Sequence, residues 1–454
     1  MTIDNVYLLC YCVGMEFFHI SQPDKKKVNF SDLYERYINN RPEFDNFVKQ
    51  ISYPKYLPWE KARFIKPPAG FNIEEAWTLG RDLRTSNAST LPIETPNKDF
   101  FKWSRLPYMD KYLNDFALYM GGGQMLSGKV QLSTSEHQTY MTRGIIEESI
   151  ASSQLEGASV TRKDAKNMIA ENRLPRDKSE WMILNNYRMM TKTTDIYKDV
   201  PLSRELLLEM HQILAANTMD ESDIGRWRRD TDNVTLGPEL DPRTTYVPPK
   251  ESFFLLQLDR LIAFANDEDD EHYLHPVIKA IVLHFWIGYL HPFADGNGRM
   301  ARAIFYWYLL KKDYWLATYV PISTVIKRAP MQYSDAYVYA EQDHNDFTYF
   351  LDYHLQKMKT ALQDFLGYIQ KQDDENRAVD QLITSRARLN ERQKQVMHYL
   401  LSDPHHRVSA KSHASLNNIS SNTAQLDLKE LQKHKLVYPL RSGKFIYYYA
   451  RSIK

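Results

Sequence analysis

The chain has 454 residues, 43% of them hydrophobic and 25% charged, with a formal net charge of +1. That is ordinary globular material, long enough for a sizeable core and two or three domains, and its near neutrality points to no particular partner. Two cysteines, Cys10 and Cys12, exclude a disulfide framework, so a reducing cytoplasm is the expected compartment.

In chain order, residues 6–18 form an apolar run that is short, carries Glu16 and comes after Asp4 with no basic region. This argues against a membrane span and a secretory signal. Residues 33–116 show mixed helical patches, a turn at 66–70 and a loop at 92–96, which predicts an N-terminal, largely helical region (1–116) packed on the next domain. Gly121, Gly122 and Gly123 form a turn between helices; with no Lys-Ser/Thr behind them they are not a nucleotide loop. Residues 147–157 predict a helix stopped by Gly157. Residues 225–237 alternate β-branched and turn residues, the pattern of a hairpin. Tyr246-Val-Pro-Pro249 leads into a helix over 251–266.

Residues 276–290 carry Ile278, Ile281, Val282, Phe285 and Tyr289 at three- and four-residue steps, the period of a buried helix, and a second helix is expected from Arg299 to Leu310. Between them runs His291-Pro-Phe-Ala-Asp-Gly-Asn-Gly-Arg-Met-Ala-Arg302. Gly296 and Gly298 around Asn297 place free N–H groups near the second helix's N-terminus, where anions are attracted. The glycines also let an oxyanion approach with no Cβ in the way. Arg299 and Arg302, three apart, can both fork onto phosphate oxygens. Asp295 is a hard oxygen ligand of the kind that shares Mg²⁺ with nucleotide phosphates, and His291 is suited to take a proton from a hydroxyl. Taken singly, each is as well explained as a turn or a solvated face. Together and in order they read as an active site.

Position by position, this segment is similar to the signature of the Fic (filamentation induced by cAMP) family, without departure. The resemblance implies a mainly α fold, a Fic-type helical bundle with a β-hairpin flap, over residues 117–370. It implies transfer of AMP from ATP, with Mg²⁺, to a Ser, Thr or Tyr hydroxyl of a target protein. His291 would be the base and Asp295 the metal ligand. Gly296, Asn297 and Gly298 would stabilise the transition state, and Arg299 and Arg302 would clamp the phosphates. Ser152-Ser-Gln-Leu-Glu156-Gly157 resembles the family's inhibitory motif, in which Glu156 would pair with Arg302 and block the γ-phosphate. The same glutamate would also suit the reverse reaction, removal of AMP by water. The hairpin resembles the flap that pairs with the target's backbone, through Asn233, Val234, Thr235 and Leu236. Tyr333 and Tyr337 suit an adenine wall and core packing equally, and residues 346–354 resemble the opening of the fold's closing helix.

The C-terminal end is basic: residues 386–454 hold thirteen Lys or Arg and four Asp or Glu, after a polar stretch (371–385) expected to act as a linker. Helices are expected at 390–401, 409–416 and 420–434, with Ser420 as N-cap and Ala424, Leu428 and Leu431 facing inward. A hairpin is expected over 437–449, completing an order that resembles a small winged helix-turn-helix domain. Ser421, Asn422, Gln425 and Lys429 would then lie on the recognition helix, with Arg441 and Lys444 at the wing, against double-stranded DNA. Such domains equally mediate homodimerisation or dock a protein. A nucleotide-sensing, DNA-binding regulator without turnover is therefore a further alternative to an enzyme.

Overall fold

The computed structural model describes residues 22–25, 28–121, 134–235, 246–268, 273–386, 389–402, 406–417, 419–442 and 445–451. Cys10, Cys12, Gly122, Gly123, Leu236 and Lys444 lie outside the described residues. The chain divides into two units, Met1–Leu362 and Gln363–Lys454. Among the described residues no helix is long and apolar enough to cross a membrane.

The first unit is mainly helical, as expected. It begins with α1 (Phe30–Asn39), α2 (Arg41–Ser52) and α3 (Ile73–Thr85), whose inner faces bury Leu33, Phe44, Phe47, Trp77 and Leu79 in one apolar cluster. Asn72 and Glu75 form a reciprocal capping box that starts α3. A hairpin of β1 (Ser89–Glu94) and β2 (Phe100–Trp103) comes next, where a loop is expected from the sequence at 92–96. Pro92 is tolerated because the register shifts between Thr90 and Glu94, at the kind of irregularity that accommodates a residue without an N–H.

This N-terminal region is fastened to the segment 343–352 by buried polar contacts. Tyr56 Oη donates to Asp346 (2.6 Å), Arg81 pairs with Asp343 (2.9 Å), and β2 exchanges hydrogen bonds with Asn345 and Phe347 through Lys102. Both carboxylates are almost fully buried, so removing one partner would strand a charge.

Further along come α4 (Pro107–Met120), α5 (Thr134–Leu155), α6 (Arg162–Ala170), α7 (Lys178–Asp195), α8 (Arg204–Ala215), α9 (Glu251–Ala265), α10 (Pro276–Leu290), α11 (Asn297–Lys311), α12 (Pro330–Gln342) and α13 (Thr348–Arg386). Helices α10 and α11 are almost wholly buried, α10 and the later turns of α11 being largely apolar all round, which makes them the centre around which the others pack. Residues 371–385, expected as a linker, are instead part of the continuous α13. Their polar composition reads as a linker, yet it is equally that of a helix with several solvated faces.

In the second unit α14 (Glu391–Ser402), α15 (Ala410–Asn417) and α16 (Ser421–Lys433) precede the antiparallel pair β3 (Val437–Ser442) and β4 (Phe445–Ala450). Val408 bridges Tyr448 and extends the hairpin by one pairing. Val396, Met397, Leu400, Leu428, Leu431, Leu436 and Val437 make its core. Each helix starts and stops within a residue or two of its expected bounds, and Ser420 caps α16 by accepting from the Thr423 N–H.

Candidate active site

Helix α10 ends at His291, which adopts a left-handed conformation (φ 49°) and turns the chain away from the helix axis. The loop beyond it returns into α11 through Gly296 (φ 87°), a geometry that a Cβ would strain. Asn297 staples the loop shut: its Oδ1 accepts from the Phe293 N–H (2.9 Å) and its Nδ2 donates to the Phe293 carbonyl (2.8 Å). Asn297 therefore uses its side chain to shape the loop and not to cap the first turn of α11.

Two residues from outside the segment hold its catalytic end. Arg228 Nε donates to the His291 carbonyl (2.6 Å) and its Nη2 to the carbonyls of Leu290 (3.3 Å) and Pro249, while its own N–H donates to the Pro292 carbonyl (2.9 Å). A guanidinium is thereby placed on the carbonyl end of α10, where a cation is favoured. From α8, His211 accepts the Gly225 N–H at Nδ1 (3.0 Å), which fixes its proton on Nε2, and Nε2 donates to the Asp295 carbonyl (3.0 Å). Its ring stacks on Phe293 at 4.0 Å and 4°. Burial holds His211 down to about 4, so it is a neutral, fixed strut.

The same holds for His291, whose pKa is lowered to about 4, first by burial and further by Arg228. Its Nδ1 lies 3.3 Å from the Gly288 carbonyl, an acceptor only, so the proton sits on Nδ1 and Nε2 carries the free lone pair. Asp295 is one-third exposed; its Oδ1 accepts the Gly296 N–H (2.5 Å) and stands 3.9 Å from Arg299. Among the described residues no group of three or more His, Cys, Asp or Glu could cage a metal. A cation at Asp295 would have to share it with substrate oxygens, which is how Mg²⁺ is commonly held.

Arg299 and Arg302 are both essentially inaccessible, yet differently satisfied. Arg299 donates to the Leu214 carbonyl (2.7 Å), and its Nε and Nη2 have no hydrogen-bond partner. Burial lowers its pKa. Burial would also lower Arg302, but the adjacent Glu156 carries it above the ordinary value. Arg302 Nε donates to Ser152 Oγ (2.7 Å), and Nη2 donates to the Ser152 carbonyl (3.0 Å) and to Glu156 Oε1 (2.7 Å), while Nη1 is left unpaired. Unpaired, buried guanidinium N–H groups beside a helix N-terminus fit an anionic group such as a polyphosphate.

Ser152 lies in the last turn of α5, Glu156 follows its last residue, and Gly157 stops the helix there in the left-handed region (φ 92°). The Glu156 carboxylate lies directly over the first turn of α11: a Cβ on Gly298 would stand 2.1 Å from its Oε1. Upstream on α5, Glu148 accepts from the N–H of Ser323 (3.0 Å), from Tyr306 Oη (2.9 Å) and from the Ser323 hydroxyl. These bonds anchor α5 to the core one helical turn before the Ser152 contact.

Tyr333 is buried and its Oη meets His284 Nε2 (2.7 Å), with the ring close enough to Arg302 to shift with it electrostatically. Tyr337 stacks on Phe285 (5.2 Å) and its hydroxyl closes on Gly288. Both therefore reach the edge of the site while packing in the core. The expected flap differs: residues 225–235 contain no strand but a short 3-10 turn (Asp230–Asp232) that leads to Asn233 in the left-handed region. Arg226, bound to Asp223 and Asp232, folds the segment back on itself. Asn233, Val234 and Thr235 lie just beyond that turn.

Sequence reasoning missed His211 and gave Arg228 no role. His211 is 84 residues from its partner and carries no local signal. Arg228 sits among Arg226, Trp227 and Arg229, and only burial tells it apart.

A neutral imidazole, a partly exposed carboxylate and two buried cations thus converge on a glycine-lined helix start within a helical domain. Residues 201–309 match the family model described as Fic/DOC family, and the chain thus carries a Fic domain. The structure resembles that of a Fic family protein from Desulfovibrio desulfuricans G20, with a TM-score of 0.51 and 17% identity over 77% of this chain and 98% of that one. Among curated proteins it is 24% identical to protein adenylyltransferase fic-1 of Caenorhabditis elegans over 38% of this chain. It is 30% identical to protein adenylyltransferase Fic of Drosophila melanogaster over 24% of this chain. The matches span 30% and 20% of those relatives' own lengths.

Proposed function

We propose that the chain is a protein adenylyltransferase that moves AMP from ATP to a Ser, Thr or Tyr hydroxyl of a target protein and is restrained by its own Glu156. The observation that carries this is the pairing of a free Nε2 lone pair on His291 with unpaired N–H groups on Arg299 and Arg302 at the start of α11. In the reaction, the target oxygen bonds to the α-phosphorus as the bond to pyrophosphate breaks, and the hydroxyl proton passes to His291 Nε2. Backbone N–H groups at Asn297 and Gly298 would face the charge that grows on the α-phosphate, while Gly296, its N–H held by Asp295, shapes the turn that presents them. Arg299 and Arg302 take the remaining phosphates as bidentate donors. Asp295 would hold Mg²⁺, which would supply positive charge to offset that of the pyrophosphate leaving group.

Glu156 opposes this by occupying Arg302 Nη2 and covering Gly298, so that a terminal phosphate and the carboxylate compete for one guanidinium. Ser152 and Gly157 hold the glutamate in place, the first through Arg302 and the second by ending α5. We read Tyr333 and Tyr337 as the adenine side and Asn233 through Leu236 as the edge that receives the target. Residues 1–116 are read as support, 117–370 as the catalytic domain and 386–454 as a winged-helix module.

Incubation with α-labelled ATP and Mg²⁺ tests the reading. Glu156→Gly should increase label on protein, and His291→Ala in that background should abolish it. Label from γ-labelled ATP, or none from either in any variant, would overturn the transferase. The position of the Glu156 carboxylate beside the anion-binding turn also favours a second reading, in which it orients water for removal of AMP. Glu156-dependent loss of label from a pre-modified target would decide for removal.

A further inference from the structure

Helix α16 has two sharply different faces. Ala424, Asp427, Leu428 and Leu431 are buried, whereas Asn422, Gln425, Leu426 and Lys429 are exposed. Both sets keep the same i, i+3, i+4, i+7 spacing on opposite sides of the helix. Asp427, the acidic residue nearest the middle, is withdrawn from solvent: it accepts from Asn390 (3.0 Å) and Arg392 (3.0 Å) and meets His413 (3.1 Å). That node ties α14 and α15 to α16 and leaves the outer face free of its charge.

The outer face is chemically unusual for a solvated helix. Leu426 is 67% exposed between two carboxamides and a lysine. Asn and Gln are the side chains that pair bidentately with adenine, Lys suits the guanine edge, and an apolar side chain suits the thymine methyl. Among the described residues from 389 to 451, Arg407, Lys411, Lys433, Lys435 and Arg441 are exposed, against Glu391 and Glu430. Glu391 pairs with Lys394 and Glu430 is held by Gln393. Three helices ahead of a two-stranded hairpin, with the third helix capped by Ser420 and starting three residues after the second, is the arrangement that sets a helix into the major groove.

We propose that this second unit binds double-stranded DNA, with Asn422, Gln425, Leu426 and Lys429 reading base edges and the surrounding lysines and arginines contacting phosphates. This function is separate from AMP transfer and does not depend on it.

The test uses the full chain and a random-sequence duplex library, with titration of the selected duplex at several salt concentrations. The expected result is enrichment of a sequence and an affinity that falls steeply with salt. Lys411→Glu with Arg441→Glu should weaken binding at least tenfold for every duplex and flatten the salt slope by about 2. Asn422→Ala with Gln425→Ala should relax sequence preference and leave the slope unchanged. Thermal melting checks that the variants fold; all four positions are exposed, so melting should be unaltered. No enrichment, binding that ignores both pairs of substitutions, or capture of a protein that Leu426→Ala releases while no duplex binds would overturn the proposal.

Discussion

Around His291 and Phe293, the contacts from elsewhere in the chain include those of His211 and Arg228, and each holds a loop carbonyl or ring in place. Around Gly298 and Arg302 they come from Ser152 and Glu156, and these occupy donors that a phosphate would use. Under the proposed function, one set of distant contacts builds the site and the other restrains it. Substitutions in the two sets should therefore move activity in opposite directions, even though all four residues are buried.

The largest expected effect is at the built end. His291→Ala should lower transfer about 10³-fold, the usual scale for losing a positioned base, with an unchanged melting profile. Next are the struts. Arg228→Lys loses the fork that spans the His291, Leu290 and Pro249 carbonyls, and His211→Gln loses the stacked ring on Phe293. Each should lower kcat roughly 10²-fold with little change in KM for ATP, because the base shifts while the arginines stay. A KM effect without a kcat effect would mean that these residues belong to the phosphate end instead. Glu156→Gly should act the other way and raise transfer about tenfold or more, read as label incorporated per minute. A fall would show that Glu156 supports the site rather than restraining it.

This division is not legible in the sequence. The residues proposed to do chemistry are contiguous from His291 to Arg302, so their spacing exposes them, and Glu156 is within reach because its resemblance is also local. His211 and Arg228 act through contacts 84 and 63 residues away along the chain, and such partners carry no periodicity. Local signals also mislead where they are polar. Pro92 and Pro96 hide a strand, and the charged run after Lys371 hides a continuous helix. The C-terminal elements are legible nearly to the residue because each has an apolar period and a clear cap.

Gly298 sharpens the contrast through a change of sign. Its φ is ordinary for a helix, so alanine there should gain about 0.5–1 kcal/mol from helix propensity. A Cβ would stand 2.1 Å from Glu156 Oε1, however, forcing the carboxylate off Arg302. With Glu156 present, Gly298→Ala should destabilise by about 1–2 kcal/mol, the scale of a lost charged hydrogen bond. In a Glu156→Gly background the same substitution should stabilise. Denaturant unfolding of the four variants measures the coupling, and additivity would mean that the carboxylate does not rest on this turn.

The smallest effect isolates the neutral histidines by pH. His211 and His291 sit at about 4 in the folded protein, against an ordinary 6.5, because burial disfavours the imidazolium. Between those values the unfolded chain binds more protons than the folded one. Their contribution is thus complete above pH 6.5 and is lost as pH falls toward 4. From pH 7 to pH 5.5 each should cost about 1 kcal/mol. Burial also holds His284 and His354 low, so the wild-type slope contains more than these two. The difference on removing one residue isolates its share. His211→Gln should flatten the fall in unfolding free energy between pH 7 and 5.5 by about 1 kcal/mol. An unaltered slope in His211→Gln would mean that this imidazole is free to protonate in the fold, and it could then no longer be a fixed donor to the Asp295 carbonyl.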